Sequence, residues 1–128
     1  MIVDTSAMVA ILYREPEAAA FAQLIHDADI CRISVATYIE LSMVLESQLG
    51  PDGMRQAEAF FRRAGICVEP VTIGQGELAR QAFLDFGKGR HAAGLNFGDC
   101  FSYALAKATG EPLLFKGNDF SQTDITAA

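Results

Sequence analysis

Four acidic residues stand where a carboxylate could do chemistry: Asp4 directly after the apolar pair Ile2-Val3, Glu40 among apolar neighbours, Asp99 at the start of a helical stretch, and Asp119 shortly after the run Pro112 to Phe115. In open parallel sheets, ligands bind beyond the carboxyl ends of the strands, which is where Asp4 and Asp119 fall. Glu40 has Ala36, Met43 and Val44 about one turn away, so its carboxylate shares a face with apolar groups, and burial there needs a partner. Asp99 follows Gly98, whose missing side chain lets another backbone or a ligand come close. Gathered at one end of a sheet, such acids repel one another and destabilise the fold unless a cation sits among them. The natural cation is Mg²⁺ or Mn²⁺, hard ions that prefer oxygen ligands, keep several waters and bridge to phosphate. That chemistry suits phosphodiester hydrolysis by a metal-activated water, with no side-chain nucleophile.

Taken singly, each acid has a plainer account: Asp4 as a turn residue, Asp99 as a helix N-cap, Asp119 as a solvated loop charge. Thr5 and Ser6 could hold a metal-bound water or a phosphate, although capping a helix accounts for at least one of them. Asn118 is either a turn residue or a polar partner in the site. The stretch Gly87-Lys88-Gly89-Arg90-His91, together with Lys116, offers the cations best placed for phosphate contacts, Lys88, Arg90 and Lys116; a solvated loop explains them equally. His26 and His91 match no ligand spacing. Gly74-Gln75-Gly76 with Ala79 fits a loose dinucleotide-binding pattern, but it lies outside the first strand-helix unit and no ribose-binding acid follows at the right distance, so a loop-to-helix start explains it better.

These residues need elements to position them. Ile2-Val3 reads as a short buried strand and Ala7 to Leu12 as the helix after it. Pro16 suits an early helical position, before an apolar face of Ala20, Phe21, Leu24 and Ile25. Ile30 to Ile33 looks like a second strand, and Ser34 caps a long helix in which Tyr38, Leu41, Val44, Leu45 and Leu49 face inward up to Gly50. Pro51 opens a further helix with Ala57, Phe60 and Phe61 buried, closed at Gly65. Ile66 to Val71 is a third strand and Glu77 to Phe86 a helix; 87–98 is Gly-rich and loop-like. Asp99 opens a helix closed by Gly110, Pro112 to Phe115 forms a fourth strand, and a last short strand falls near Ile125. Strands alternating with helices imply an α/β architecture, a mostly parallel sheet covered on both faces.

The chain has 128 residues, 51% hydrophobic and 20% charged, a size and composition for one compact domain over 1–128 with its own core. Its three cysteines, Cys31, Cys67 and Cys100, form no paired or zinc-binding pattern and fit a reducing cytoplasm. No apolar run approaches the length of a membrane span, and the start Met1-Ile2-Val3-Asp4 carries no export signal. With 16 acidic against 10 basic residues and a net charge of -6, non-specific attraction to nucleic acid is disfavoured, so any nucleic-acid role rests on a local site.

As a set, Met1-Ile2-Val3-Asp4-Thr5-Ser6-Ala7, Glu40, Asn96-Phe97-Gly98-Asp99-Cys100 and Pro112-Leu113-Leu114-Phe115-Lys116-Gly117-Asn118-Asp119-Phe120 resemble the PIN-domain ribonucleases of the VapC toxin family over essentially the whole chain. The resemblance implies an α/β/α sandwich and an Mg²⁺- or Mn²⁺-dependent endoribonuclease of a type II toxin–antitoxin pair, acting on tRNA, rRNA or other RNA. Asp4 and Asp99 match the family's metal ligands, Glu40 its helical acid, and Thr5 or Ser6 its site hydroxyl. Asn118 and Asp119 fill the remaining acidic position in more than one way. The resemblance further implies a VapB-like antitoxin whose basic or aromatic tail fills the groove, and a homodimer. The reading from a different class is a catalytically weak PIN-like module whose acids dock a basic protein partner or RNA.

Overall fold

The computed structural model describes residues 1–128 as four strands and six helices. In chain order they are β1 (Ile2–Val3), α1 (Thr5–Leu12), α2 (Ala18–Asp27), β2 (Arg32–Ser34), α3 (Val35–Leu49), α4 (Pro51–Ala64), β3 (Cys67–Glu69), α5 (Ile73–Phe86), α6 (Phe97–Thr109) and β4 (Leu113–Leu114). A short 3-10 turn, Phe120–Gln122, follows.

The strands are two or three residues long, and all pair in parallel in the order β3-β2-β1-β4. Side chains alternate across a strand, and here the alternation divides the core. Ile2 and Leu113 point into a cluster with Ala79, Ala82, Leu95 and Leu105 under α5 and α6. Val3 and Leu114 point the other way, to Met8, Ile33, Leu41, Leu45 and Phe61 under α1 to α4. One sheet between two helical layers is the expected α/β/α sandwich. The chain leaves β1 towards β2 on one side while β4 returns on the other, so the ends of β1 and β4 flank a topological switch point.

Helix limits follow capping chemistry. Ser34 caps α3 through its hydroxyl, which accepts the Ala36 N–H. Gly65 and Gly110 close α4 and α6 at φ of 67° and 69°, a left-handed conformation that side chains resist.

Several expectations are corrected. Pro16 lies ahead of α2, which starts at Ala18, and only Ile25 of that helix is fully buried while Leu24 is exposed. Leu49 at the end of α3 is exposed as well. The third strand is shorter than the apolar run suggests, and Cys67 and Val68 lie exposed on the open edge of the sheet. Helix α5 begins four residues earlier than its apolar spacing indicates, because the Thr72 hydroxyl accepts the Gln75 N–H. Gly74 and Gly76 therefore lie inside a helix and form no phosphate-cradling loop. The terminal strand reduces to a single parallel bridge between Leu113 and Ala127. No helix is long and apolar enough to cross a membrane.

Candidate active site

Asp4 is the residue at which β1 becomes α1. Its extended backbone makes it the N-cap of α1, and its side chain is almost wholly buried. Three donors meet it: Oδ2 accepts the Ser6 N–H at 3.0 Å and the Ser6 hydroxyl at 2.7 Å, and Oδ1 accepts the Ser102 hydroxyl at 2.6 Å. The expected turn role thus takes the form of a helix N-cap. Ser6 also ties the two strand ends together, since its Oγ accepts the Lys116 N–H at 3.0 Å.

Glu40 reaches the same region from α3. The Thr5 hydroxyl donates to its Oε1 at 2.6 Å, which supplies the partner that its apolar surroundings require. Gly98 explains the approach to α6: a Cβ added there would lie 1.8 Å from Glu40 Oε2, so the carboxylate occupies the space of the missing side chain.

Asp99 is not the cap of α6. The helix starts at Phe97, and Asn96 caps it, its Oδ1 accepting the Asp99 N–H at 2.9 Å while Asp99 Oδ2 accepts the Asn96 N–H at 3.0 Å. Only that one backbone donor relieves the Asp99 carboxylate. Burial pushes its pKa up to about 6, and the charges of Asp4, Asp119 and Glu40 push in the same direction against the Asn96 hydrogen bond. The charges of three acids from separate segments are therefore felt at Asp99.

Asp119 sits exposed after β4, beyond Gly117 at φ 101°. Its neighbour Asn118 is also exposed and uses its carbonyl to accept from Ser121 and Gln122, while its side chain has no hydrogen-bond partner. Of the two, it is Asp119 whose charge is felt at Asp99. No group of three acidic, histidine or cysteine side chains is gathered closely enough to cage a metal ion by itself.

The expected cations divide. Lys88 is exposed in the loop before α6, and the Arg90 guanidinium lies 5.6 Å over the Phe83 ring. Lys116 is not a free cation: its ammonium is taken up by ion pairs with Glu15 and Glu17, which raise its pKa.

Sequence reasoning missed Ser102 and Thr37, both fully buried, with their hydroxyl oxygens 3.1 Å apart. The available signal was positional: Thr37 stands one turn before Glu40, and Ser102 one turn after Asp99, each a polar residue in an otherwise apolar stripe.

Residues 1–125 match the family model of the PIN domain. Ribonuclease VapC28 of Mycobacterium tuberculosis H37Rv is 53% identical over 129 residues, spanning 100% of this chain and 97% of its own length. Ribonuclease VapC of Mycolicibacterium smegmatis is 47% identical over 127 residues, spanning 99% and 98%. Among solved structures, Mycobacterium tuberculosis VapC20, described as a sarcin-ricin loop cleaving toxin, matches with a TM-score of 0.80 at 19% identity, covering 99% of this chain and 97% of its own. VapBC2 from Rickettsia felis, bound to a DNA fragment from its promoter, matches at 0.72 and 14% identity, covering 98% and 94%. At such identities the structural likeness speaks for the fold.

Proposed function

The chain belongs to the PIN-domain family of VapC ribonucleases, and on that footing we propose that it is a metal-dependent endoribonuclease, the toxin of a type II toxin–antitoxin pair that arrests translation or growth. The observation that carries the reading is that the charges of Asp4, Asp119 and Glu40 are all felt at Asp99, where they add to the burial that pushes its pKa up to about 6. A fold that spends stability on repelling carboxylates beside the sheet's switch point has a use for a cation there.

The donor chemistry fits Mg²⁺ or Mn²⁺, because every candidate ligand is an oxygen. Asp4 and Asp99 would hold the ion, with waters and an RNA phosphate completing its shell. When bound, the ion would lower the pKa of a water and offset charge on the phosphate oxygens. The protein's own groups do the rest. Thr5 holds Glu40 and Ser6 holds Asp4 in fixed orientations, Asp119 adds charge at the rim beside Asn118, and Lys88 and Arg90 contact RNA phosphates. Asn118 serves as a turn residue and Asp119 as the fourth acid.

The same acids suit a VapB-like antitoxin, whose arginines would neutralise the carboxylates and exclude the metal. We read the chain as one domain acting in the cytoplasm and as a homodimer, the exposed Leu24 and Leu49 being apolar surface available to a second copy.

The test is cleavage by protein freed of partner, using total RNA and a tRNA pool with Mg²⁺, Mn²⁺ or EDTA, beside Asp4→Asn and Asp99→Asn. Cleavage that needs metal and both acids supports the toxin reading. An RNA pattern indifferent to metal and to both substitutions overturns it, and puts the docking-module reading in its place.

A further inference from the structure

Counting lone pairs on Asp4 assigns a direction to its chemistry. A carboxylate offers about four acceptor positions, two on each oxygen. Both positions on Oδ2 are taken, by the Ser6 N–H and the Ser6 hydroxyl. On Oδ1 one is taken, by the Ser102 hydroxyl at 2.6 Å. One position remains, and Ser102 fixes where it points.

The orientation of Ser102 is itself determined. Its only proton goes to Asp4, so in the 3.1 Å contact between Thr37 and Ser102 it is Thr37 that donates. The order is Thr37 O–H to Ser102 Oγ, then Ser102 O–H to Asp4 Oδ1. Both hydroxyl residues are 0% exposed, so solvent does not supply a substitute donor. Ser102 lies on α6 one turn after Asp99, and Thr37 on α3 one turn before Glu40, so the relay joins the helices that carry two other acids of the cluster to the buried carboxylate at the end of β1.

We propose that Ser102, oriented by Thr37, is a positioning residue that makes Asp4 a one-point ligand through Oδ1, aiming its single remaining lone pair at the cation. The inference rests on the reading of Asp4 as a metal-holding acid. Without the Ser102 hydroxyl, Ser6 still holds Oδ2, but Oδ1 has two open positions and no donor to confine its free lone pair to one direction, so the ion loses a prepared ligand. Groups that orient metal ligands typically contribute about 10- to 100-fold in affinity.

The experiment is a Mn²⁺ titration of the RNA-free protein, followed by calorimetry and by electron paramagnetic resonance of free Mn²⁺. It compares wild type, Ser102→Ala, Ser102→Thr and the near-isosteric Thr37→Val, each checked for folding by circular dichroism and kept well below its melting temperature. The expected result is a dissociation constant raised about 10-fold in Ser102→Ala, raised less in Thr37→Val, and largely recovered in Ser102→Thr, which keeps the hydroxyl. A merely structural role would lower melting temperatures and leave the Mn²⁺ affinity of the folded variants alone. The proposal is overturned if Ser102→Ala binds Mn²⁺ as tightly as wild type or more tightly, or if wild type binds none. Because no RNA is present, failure of the nuclease reading shows separately, as Mn²⁺ binding without cleavage.

Discussion

Replacing Asp99 by Asn is expected to stabilise the metal-free protein while abolishing its activity. The carboxyl's ordinary pKa of 3.8 rises to about 6 in the folded chain, first through burial and then through Asp4, Asp119 and Glu40. The sign follows from proton counting. The folded state holds its proton more tightly than the unfolded state, so stability is greatest below about pH 4, declines as pH rises towards 6, and stays lower above it. That rise corresponds to about 3 kcal/mol. Asp99 is only partly buried, and screening by solvent brings the figure to about 1–2 kcal/mol. Asn removes that cost at neutral pH, and its amide oxygen still accepts the Asn96 N–H that completes the helix cap. For a chain of this length, that gain corresponds to a melting temperature about 4–7 °C higher. The assay is thermal and urea unfolding of both proteins in EDTA at pH 7.5 and pH 5. At pH 5 the difference should fall to about half, because the wild-type carboxyl is then mostly protonated in the folded state. Excess Mn²⁺ should raise the wild-type midpoint and leave the variant little changed. A variant that melts at or below wild type at pH 7.5 without metal, or a gap that does not narrow at pH 5, would refute the claim that burial and neighbouring charge make the ionised Asp99 carboxyl costly in the folded state.

Gly98→Ala tests the approach of Glu40 to α6: the new Cβ must displace a carboxylate oxygen 1.8 Å away, so cleavage should collapse. Its folding cost, read from urea midpoints, should stay near 1–3 kcal/mol, typical of overpacking. Metal affinity should depend on pH through the same carboxyl, falling about tenfold per unit below about pH 6 as a proton competes for Asp99, which calorimetry with Mn²⁺ at pH 5, 6 and 7 will measure. Charge substitutions should separate the basic residues: Lys88→Ala and Arg90→Ala should each weaken RNA binding and lower the salt slope by about one. Lys116→Ala should leave that slope unchanged, since Glu15 and Glu17 already hold the ammonium. A filter-binding series from 50 to 300 mM salt, spanning about that range, decides between them.

What could be read from sequence was what local chemistry determines. Ser34 before an apolar stripe, and Gly65 and Gly110 after one, marked helix ends that the structure keeps. Asp4 after a two-residue apolar run was placed at a strand end for the same reason. The start of α6 was misread because Asn96 and Asp99 are both good caps, and only their reciprocal hydrogen bonds decide which one caps and which stands at the third helical position. Lys116 looked available because its partners, Glu15 and Glu17, lie about a hundred residues earlier in the chain. Ser102 was invisible for a similar reason. In a stripe of alanines a serine reads as a small packing residue, and it acquires a role only when the fold brings it to Asp4, 98 positions away. The β3 edge shows the converse: an apolar run signals a strand without saying whether a neighbour covers it.

The four acids are not equally prepared for charge, and the difference bears on how such a site is switched. Asp4 receives three donors and Glu40 a hydroxyl, whereas Asp99 has one backbone donor and carries the rise in pKa. The fold thus supports its most buried acid internally and leaves the electrostatic deficit on a neighbour nearer the surface. Anything that binds the ionised form of Asp99 better than the protonated form recovers that deficit as binding energy, whether a hard cation or a guanidinium from a partner protein. The two compete for the same free energy, so the proposed antitoxin needs no separate blocking device. An arginine that lowers the Asp99 pKa by ion pairing removes what the metal would gain there, and metal already bound raises the cost of inserting the arginine by the same amount. Reciprocity of this kind predicts that Mn²⁺ weakens antitoxin binding by the same factor as antitoxin weakens Mn²⁺ binding, and that the coupling is lost in Asp99→Asn.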